Sequence, residues 1–299
     1  LLSEVASKVY KNKPKNLIAV TGTNGKSSIA DFYYQILDLN KKKVASIGTL
    51  GIKTYLKNIE IKNTTLDPIS LNDHLQKIKK LNIDNVILEA SSHGLKQNRL
   101  NGLNFKTGIF TNLSHDHLDY HKSFKDYLKS KLLLFQNLLK KNSNVITDIN
   151  IPQYKTIKNI AKKKHQKIFT IGSKKSYLEL TKHKYIDDKQ LFEIKYKNKV
   201  YDITVNLIGK IQIKNVLMAM IAAEKSNIKF EKIIKSIHKI KPINGRIEKI
   251  GYLKNSSKVI LDYAHTPEAL SNCLQNLEQQ YKNRKIAIVF GCGGDRDKS

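Results

Sequence analysis

Short apolar runs alternate with longer amphipathic segments along most of the chain. Residues 16–20 form a largely apolar run typical of a buried strand, and five later runs resemble it: residues 43–47, 85–89, 106–111, 144–147 and 167–171. Apolar residues recur at helical spacing in three segments between them: residues 70–81, 123–139 and 151–163. This alternation predicts an α/β fold, a mostly parallel sheet with helices on both faces.

The pattern changes after residue 176. Residues 177–205 alternate in short strands with turns between them, which predicts a small antiparallel patch at the edge of the sheet. Two helical segments follow, at residues 211–225 and 230–240.

A break at Pro242 to Gly245 ends the second of these helices and is the best candidate for a linker. A new strand, helix and strand follow it, at residues 258–263, 267–280 and 285–290. We therefore expect two domains: residues 1–245, and the start of a second, Rossmann-like α/β domain over residues 246–299.

The charge balance bears on the class of partner. Lys and Arg number 54 against 25 Asp and Glu, a net charge of +29. Base readout in nucleic acids favours arginine and aromatic platforms, whereas this chain has four arginines, no tryptophan and scattered lysines. We therefore expect no nucleic-acid partner, although the charge can steer a polyanionic nucleotide towards its site.

Cysteine usage and hydropathy indicate the compartment. Cys273 and Cys292 form no C-x-x-C pair, so neither a disulfide framework nor a zinc site is predicted. No apolar stretch approaches the roughly 18 residues of a membrane span, and we expect a cytoplasmic monomer without membrane insertion. The chain begins at Leu1 inside a helix-like stretch and ends shortly after a glycine-rich segment, so both ends are expected to be cut.

The most informative segment is VTGTNGKSS at residues 20–28. Its glycines free backbone N–H groups to face an anion, and the helix that follows adds partial positive charge at its N-terminus. Lys26 would reach the outer phosphates of a nucleotide, and the Ser27 hydroxyl would bind Mg²⁺. A plain strand-to-helix turn is the alternative, because Val20 stands where the longer phosphate-loop motif has its first glycine.

Two further segments follow predicted strands, where a parallel sheet binds ligands. Glu89, which opens EASSHG, is a natural Mg²⁺ ligand beside a phosphate loop; alternatively it is solvated next to a helix cap formed by Ser91 or Ser92. The segment TNLSHDHLDYH has three histidines and two aspartates within seven residues. It suits structural zinc poorly, and a magnesium site is at least as well supported, with Asp119 and His121 as outer ligands or caps.

These segments, with four others in register, resemble the Mur ligase family, the ATP-dependent amide-forming enzymes of peptidoglycan precursor synthesis. The motifs span essentially the whole chain: TGTNGKSS, NTTLDP, EASSHGLKQNRL, FTNLSHDHLDYH, NGRIEKI, DYAHTPEAL and FGCGGDRDKS. The resemblance is strongest to the branch that adds a diamino acid to a UDP-muramoyl-dipeptide, and the DHLDYH and DYAHTPEAL strings favour the muramyl-peptide branch of the superfamily. A folylpolyglutamate synthetase-like ligase is the alternative within the superfamily, and a non-catalytic nucleotide- or nucleic-acid-binding module is the alternative outside it.

The resemblance implies a role for each matching position. The implied ATP contacts are Gly22, Thr23, Asn24, Gly25, Lys26, Ser27, Ser28, Asn215, Arg246, Asp262 and His265. The implied substrate contacts are Thr64, Thr65, Ser91 and Arg99, and the implied catalytic residues are Lys26, Glu89, His117 and Lys131. Two Mg²⁺ ions are implied to bind Ser27, Glu89, His117 and Lys131. Lys131 is implied to be a carbamate made with CO₂, because an ammonium cannot bind a cation and a carbamate oxygen can. Gln212 departs from the family, whose members often have Asn there.

The implied reaction has two steps. The γ-phosphoryl group of ATP passes to the terminal carboxylate of the dipeptide, and an amine then displaces phosphate from the acyl-phosphate to leave an amide. Lys26 and the two Mg²⁺ ions would neutralise charge on the transferred group, and closure of the second domain would exclude water. The uridine-holding domain, and the segment that selects meso-diaminopimelate or L-lysine, are expected to lie outside this chain.

Overall fold

The computed structural model describes residues 1–114 and 120–291. Its strands are β1 (Asn16–Thr21), β2 (Val44–Gly48), β3 (Gly51–Lys53), β4 (Asn58–Ile59), β5 (Asn85–Glu89), β6 (Phe105–Phe110), β7 (Leu139–Asp148), β8 (Lys167–Gly172), β9 (Leu178–Ile186), β10 (Lys189–Tyr196), β11 (Lys199–Val205), β12 (Glu248–Tyr252) and β13 (Lys258–Leu261).

The helices are α1 (Leu2–Val9), α2 (Lys26–Leu39), α3 (Pro68–Lys80), α4 (Ser92–Lys96), α5 (Phe124–Leu133), α6 (Tyr154–Lys163), α7 (Lys210–Lys225), α8 (Phe230–Ile237) and α9 (Pro267–Gln280), with a π-helical turn, Leu134–Leu138, directly after α5. In the described part of the chain, no helix combines the length and the apolar character needed to cross a bilayer.

The first eleven strands form one sheet, in the order β11-β10-β9-β8-β7-β6-β1-β5-β2-β3-β4. Neighbours from β8 to β2 pair in parallel, which confirms the mostly parallel sheet. The predicted antiparallel patch is also confirmed, because β9, β10 and β11 form one edge. Strand β1 lies between β5 and β6, so the loops that follow these three strands meet at the carboxyl edge of the sheet, where such folds bind ligands.

Strand β1 shows why its sequence is apolar at successive positions. Ile18 and Val20 pack in the cluster that includes α2, α7 and α8, whereas Leu17 and Ala19 pack in the opposite cluster with α3 and α6. All four are at most 2% exposed. A strand covered on both faces needs apolar side chains at successive positions, not at every second one.

The residues from 246 to 291, called the second unit below, differ in part from the predicted pattern. Within the described residues, β12 and β13 form an antiparallel pair beside α9. The strand predicted at residues 285–290 is wrong, because these residues have no regular structure and Val289 is fully exposed. A strand needs a neighbour for its backbone N–H and C=O groups, and β12 and β13 pair only with each other in the part of the chain described.

The turn between β9 and β10 ties this second unit to the main sheet. Asp188 accepts hydrogen bonds from the ammonium groups of Lys249 and Lys258 and from the Tyr281 hydroxyl, each at 2.6 Å. Burial by itself raises the pKa of Asp188, but these donors outweigh it and hold the pKa well below its usual range. The ionised carboxylate therefore joins β12, β13 and the end of α9 to the hairpin.

We expect Asp188→Asn to destabilise the protein by about 2 kcal/mol at neutral pH, a fall of roughly 4–8 °C in melting temperature. A carboxylate whose pKa is lowered by folding stabilises the fold at pH values above its pKa in the unfolded chain, which is near 4. This contribution is lost as the pH falls below that pKa. The difference between variant and wild type in calorimetry should therefore shrink as the pH is lowered through this range.

Asp202→Asn is the matched control, because it removes the same charge from an exposed position on β11 of the same antiparallel patch. It should change the free energy of unfolding by less than about 0.5 kcal/mol. Equal melting temperatures for Asp188→Asn and wild type at neutral pH would contradict the assignment of Asp188 as the tie between the units.

Candidate functional site

A cavity of about 520 Å³ opens at the carboxyl edge of the sheet, between the loops after β1 and β5 and the second unit. This volume lies in the range of small-molecule sites, roughly 300–1,000 Å³. Most of the residues singled out from the sequence line it: Thr23, Asn24, Gly25, Lys26, Ser27, Ser28, Thr64, Glu89, Ser91, Lys131, Asn215, Arg246, Asp262 and His265. Gly22, Thr65 and Arg99 lie outside the cavity wall, and His117 lies outside the described residues.

Two glycines shape the loop between β1 and α2. Gly22 has φ +142°, and a Cβ there would lie 1.9 Å from the Thr111 hydroxyl oxygen. Gly25 has φ +88°, and a Cβ there would lie 2.6 Å from the side-chain oxygen of Asn215. Gly25 precedes α2, whose first turn has no side-chain cap within the described residues. The loop therefore packs tightly against its neighbours and leaves a helix N-terminus suited to an anion.

The loop after β6 holds the other side of this turn. The backbone N–H of Thr23 donates to the carbonyl of Asn112 at 3.0 Å, and that of Asn24 donates to the Asn112 side chain at 2.9 Å. The Thr23 hydroxyl lies 3.2 Å from the Tyr127 hydroxyl of α5. The loop after β6 and helix α5 therefore both hold the conformation of the loop between β1 and α2.

Two lysine ammonium groups converge on one carbonyl of this loop. The Nζ of Lys26 donates to the carbonyls of Gly22 and Thr23 at 3.0 and 2.7 Å. The Nζ of Lys131 donates to the same Gly22 carbonyl at 2.8 Å and lies 4.2 Å from the ring centroid of Tyr127. Lys131 is 1% exposed, although it comes from α5, far away in sequence. From its sequence alone, Lys131 resembled any other lysine on an amphipathic helix.

Glu89 lies at the end of β5 and is 2% exposed. Its carboxylate accepts hydrogen bonds from the Ser27 hydroxyl at 3.1 Å, from the Thr49 N–H at 2.8 Å and from the Thr49 hydroxyl at 3.3 Å. The alternative in which Glu89 is solvated is therefore wrong. The helix cap that this alternative also predicted is confirmed, because Ser91 caps α4 by accepting a hydrogen bond from Gly94 N–H at 3.1 Å.

The oxygen atoms gathered here fit Mg²⁺. A hydroxyl and a carboxylate are the hard ligands that this ion prefers. The hydrogen bonds described above to the Glu89 carboxylate come from neutral groups. Burying a negative charge costs free energy unless a positive charge lies close to it, and a bound cation would supply that charge. A carbamate at Lys131 also fits, because its nitrogen keeps one hydrogen for the Gly22 carbonyl. Within residues 1–114 and 120–291, no three His, Cys, Asp or Glu side chains cluster as a metal site.

The residues proposed for the substrate extend from Glu89 in one hydrogen-bonded group. The Thr65 hydroxyl donates to the Glu89 carbonyl at 2.9 Å and accepts from the Ser91 N–H at 2.9 Å. Arg99 donates from Nη1 to the Thr65 carbonyl at 2.7 Å. Thr64 and Ser91 therefore face the cavity, while Thr65 and Arg99 lie behind them and hold this segment in place.

The second unit contributes the opposite wall of the cavity. Arg246 reaches the Ser27 hydroxyl, with Nη2 at 3.4 Å, and its guanidinium lies 4.8 Å from the Tyr263 ring centroid. The Asp262 carboxylate accepts from the N–H groups of Ile247 and Ala264, each at 2.8 Å. Burial raises the pKa of Asp262 although these hydrogen bonds and the charge of Arg246 oppose it.

Gln212 connects this wall to α7. Its side-chain NH₂ donates to the Arg246 carbonyl at 3.1 Å, and its oxygen accepts from Asn215 at 3.0 Å. Asn215 in turn packs against Gly25 of the loop. The departure from the family at position 212 therefore places a longer side chain between the loop-contacting Asn215 and the second unit.

Sequence reasoning missed several residues of the cavity wall, among them Thr49, Asn112 and Ser114. Asn112 and Ser114 stand inside the FTNLSHDHLDYH motif, whose position after a strand was a usable signal. Thr49 gave no such signal, because its contact with Glu89 depends on the pairing of β2 with β5. His115, Asp116, His117 and Asp119 lie outside the described residues.

The chain belongs to the Mur ligase family, a family of ATP-dependent ligases. Residues 20–223 match the Mur ligase middle domain, and residues 245–299 match the Mur ligase, glutamate ligase domain. The family implied by the sequence motifs is thereby confirmed.

Among named relatives, the UDP-N-acetylmuramoyl-L-alanyl-D-glutamate–2,6-diaminopimelate ligase of Rickettsia montanensis is 37% identical over 303 residues, which cover 100% of this chain and 62% of that protein. A solved structure of a ligase with the same name has a TM-score of 0.81 at 30% identity and covers 99% of this chain and 60% of its own. The chain thus spans about three fifths of the length of these relatives.

A structure of Mycobacterium tuberculosis folylpolyglutamate synthase complexed with ADP and AMPPCP has a TM-score of 0.75 at 16% identity, over 94% of this chain and 70% of its own. Identity this low shows a shared fold alone. The alternative of a folylpolyglutamate synthetase-like ligase is therefore less supported than the muramyl-peptide branch.

Proposed function

We propose that this chain carries the ATP site of a ligase that adds 2,6-diaminopimelate to UDP-N-acetylmuramoyl-L-alanyl-D-glutamate. The observation that carries the proposal is the convergence of Lys26, Ser27, Glu89 and Lys131 on one loop in one cavity. The names of the relatives supply the substrates. Cytoplasmic location and a monomeric state stay predictions.

The chain's own residues would bind and orient the triphosphate. Lys26, now hydrogen-bonded to loop carbonyls, would turn to the outer phosphates, and the first turn of α2 would hold an inner phosphate through its backbone N–H groups. Asn215, Arg246, Asp262 and His265 would contact the rest of the nucleotide. A charge held beside the transferred phosphoryl group lowers the barrier, because phosphoryl transfer is catalysed mainly by positioning and electrostatics.

Ser27, Glu89, His117 and the carbamate of Lys131 would hold two Mg²⁺ ions. When bound, these ions neutralise negative charge on the phosphates. Glu89 and Ser27 already lie within hydrogen-bond distance of one another, so these two side chains would need little movement to share an ion. Lys131 would keep its long side chain buried against Tyr127 while it presents the carbamate oxygens.

The dipeptide carboxylate would lie near Thr64 and Ser91, with Thr65 and Arg99 supporting them. ATP would phosphorylate this carboxylate, and the amine of diaminopimelate would displace phosphate to give the amide.

We also propose a domain boundary at residues 245–246. It is supported by Gly245, which has φ +66° and where an added Cβ would meet no atom within 4 Å. Movement there would let the wall that contains Arg246 close and exclude water.

The test uses a chimaera in which this chain is joined to the flanking segments of the Rickettsia montanensis relative. Lys131→Ala should lower ATP-dependent amide formation from UDP-muramoyl-dipeptide and diaminopimelate by about 1,000-fold, because it removes a group that acts only on the reacting centre. Wild-type protein given ¹³C-labelled bicarbonate should also show a carbamate resonance that Lys131→Ala lacks.

Lys129→Ala is the matched control, because Lys129 is on the same helix and does not line the cavity. It should keep both the activity and the carbamate signal. Full activity of Lys131→Ala would refute the carbamate assignment, and turnover that depends on folate instead of the muramoyl dipeptide would refute the choice of substrate.

A further inference from the structure

Thr49 is the residue directly after β2, and it is exposed in the wall of the cavity. It donates to Glu89 twice: its backbone N–H reaches Oε1 at 2.8 Å and its hydroxyl reaches Oε2 at 3.3 Å. The Ser27 hydroxyl donates to Oε2 as well, at 3.1 Å. Thr49 thus contacts both oxygens of the buried carboxylate.

The pairing of β2 with β5 explains this arrangement. Ile47 is the register partner of Leu88, so Gly48 lies beside Glu89 in the parallel pair. A Cβ at Gly48 would lie 2.2 Å from Oε1 of Glu89 and 2.5 Å from its Cγ. The glutamate side chain therefore lies across the bare backbone of residue 48 and ends at the amide of Thr49.

The hydroxyl of Thr49 also lies 3.1 Å from the hydroxyl of Thr64, on the substrate side of the cavity. A hydroxyl has one hydrogen to donate. While Thr49 donates to Glu89, the hydrogen between the two threonines must come from Thr64. A ligand that changes the hydrogen bonding of Thr64 therefore changes what Thr49 can offer to Glu89.

We propose that Thr49 is a positioning residue: it orients the Glu89 carboxylate for Mg²⁺ and couples that carboxylate to Thr64 at the substrate end of the cavity. The inference rests on the proposed function, because it takes Glu89 as a metal ligand. Groups that orient a ligand from behind typically change metal affinity by about 10–100-fold when they are removed.

The experiment measures the dissociation constant of Mn²⁺, used as a probe for Mg²⁺, on the 299-residue chain with saturating ADP, by electron paramagnetic resonance. Thr49→Val keeps the shape and the backbone N–H and replaces the hydroxyl by a methyl group. It should weaken Mn²⁺ binding by about 10-fold, while Thr49→Ser should restore it to within about two-fold. The affinity for ADP without metal should not change, and a general loss of structure would lower it.

A double-mutant cycle tests the coupling. Thr64→Val removes the hydrogen bond that Thr64 donates to the Thr49 hydroxyl, a bond that polarises this hydroxyl and strengthens its own donation to Glu89. It should therefore weaken Mn²⁺ binding in the wild-type background and should have no further effect in Thr49→Val, because its influence passes through the Thr49 hydroxyl. Independent effects of the two substitutions would overturn the coupling. Wild-type Mn²⁺ affinity in Thr49→Val would overturn the role of Thr49 alone, whereas wild-type chain that binds no Mn²⁺ with ADP would overturn the proposed function as well.

Discussion

Lys26→Ala is expected to weaken the binding of ADP by about 100-fold, near 3 kcal/mol, the upper range for a hydrogen bond to a charged group. The free energy of unfolding should change little. Lys26 now donates to the Gly22 and Thr23 carbonyls, and the Gly22 carbonyl keeps a second donor in Lys131 after the substitution. Isothermal titration calorimetry with ADP and Mg²⁺ measures the loss directly.

The net charge of +29 makes a matched control essential, because a strongly basic protein binds polyanions without a specific site. Lys155→Ala removes the same charge from an exposed position on α6, outside the cavity. It should leave ADP affinity within about two-fold of wild type. If Lys26→Ala and Lys155→Ala weaken binding equally, and both with a steep dependence on salt, a non-specific polyanion-binding module is the better description.

Gly22→Ala should disable the loop and destabilise the fold. The methyl group would lie 1.9 Å from the Thr111 hydroxyl oxygen, at a backbone φ of +142° that side chains rarely adopt. Strain at such a φ and overpacking cost roughly 1–3 kcal/mol each, so the free energy of unfolding should fall by about 4 kcal/mol and the melting temperature by roughly 10 °C. Thr111 also donates to the Asn24 carbonyl at 2.6 Å, so its displacement should abolish measurable ADP binding.

Gly251→Ala is the control for this substitution, because a Cβ at Gly251 meets nothing within 4 Å. It should change the free energy of unfolding by less than about 0.5 kcal/mol. Adding Thr111→Ala to Gly22→Ala removes the closest contact and should recover part of the lost stability, while ADP binding stays weak. Gly22→Ala with wild-type stability and ADP affinity would contradict the packing described for the loop.

Local pattern was enough to identify the elements that position the site. Residues 16–28 specify a buried strand, a glycine turn and a helix through neighbours in sequence, and the structure has β1, Gly22, Gly25 and α2 in these places. The strand predicted at residues 285–290 is wrong because local pattern was not enough there. An apolar run alone does not supply the partner strand that a sheet requires.

By itself, the sequence determined the family, most of the element types and the glycine turn between β1 and α2, because each depends on residues close together in the chain or on strings of fixed order. Tertiary structure decided which loops meet. Glu89 is buried beside Thr49, and Lys131 reaches the Gly22 carbonyl, because β1 lies between β5 and β6 and α5 packs against the loop. Strand order and helix packing arise from burial of apolar surface over the whole domain, and no local pattern records them.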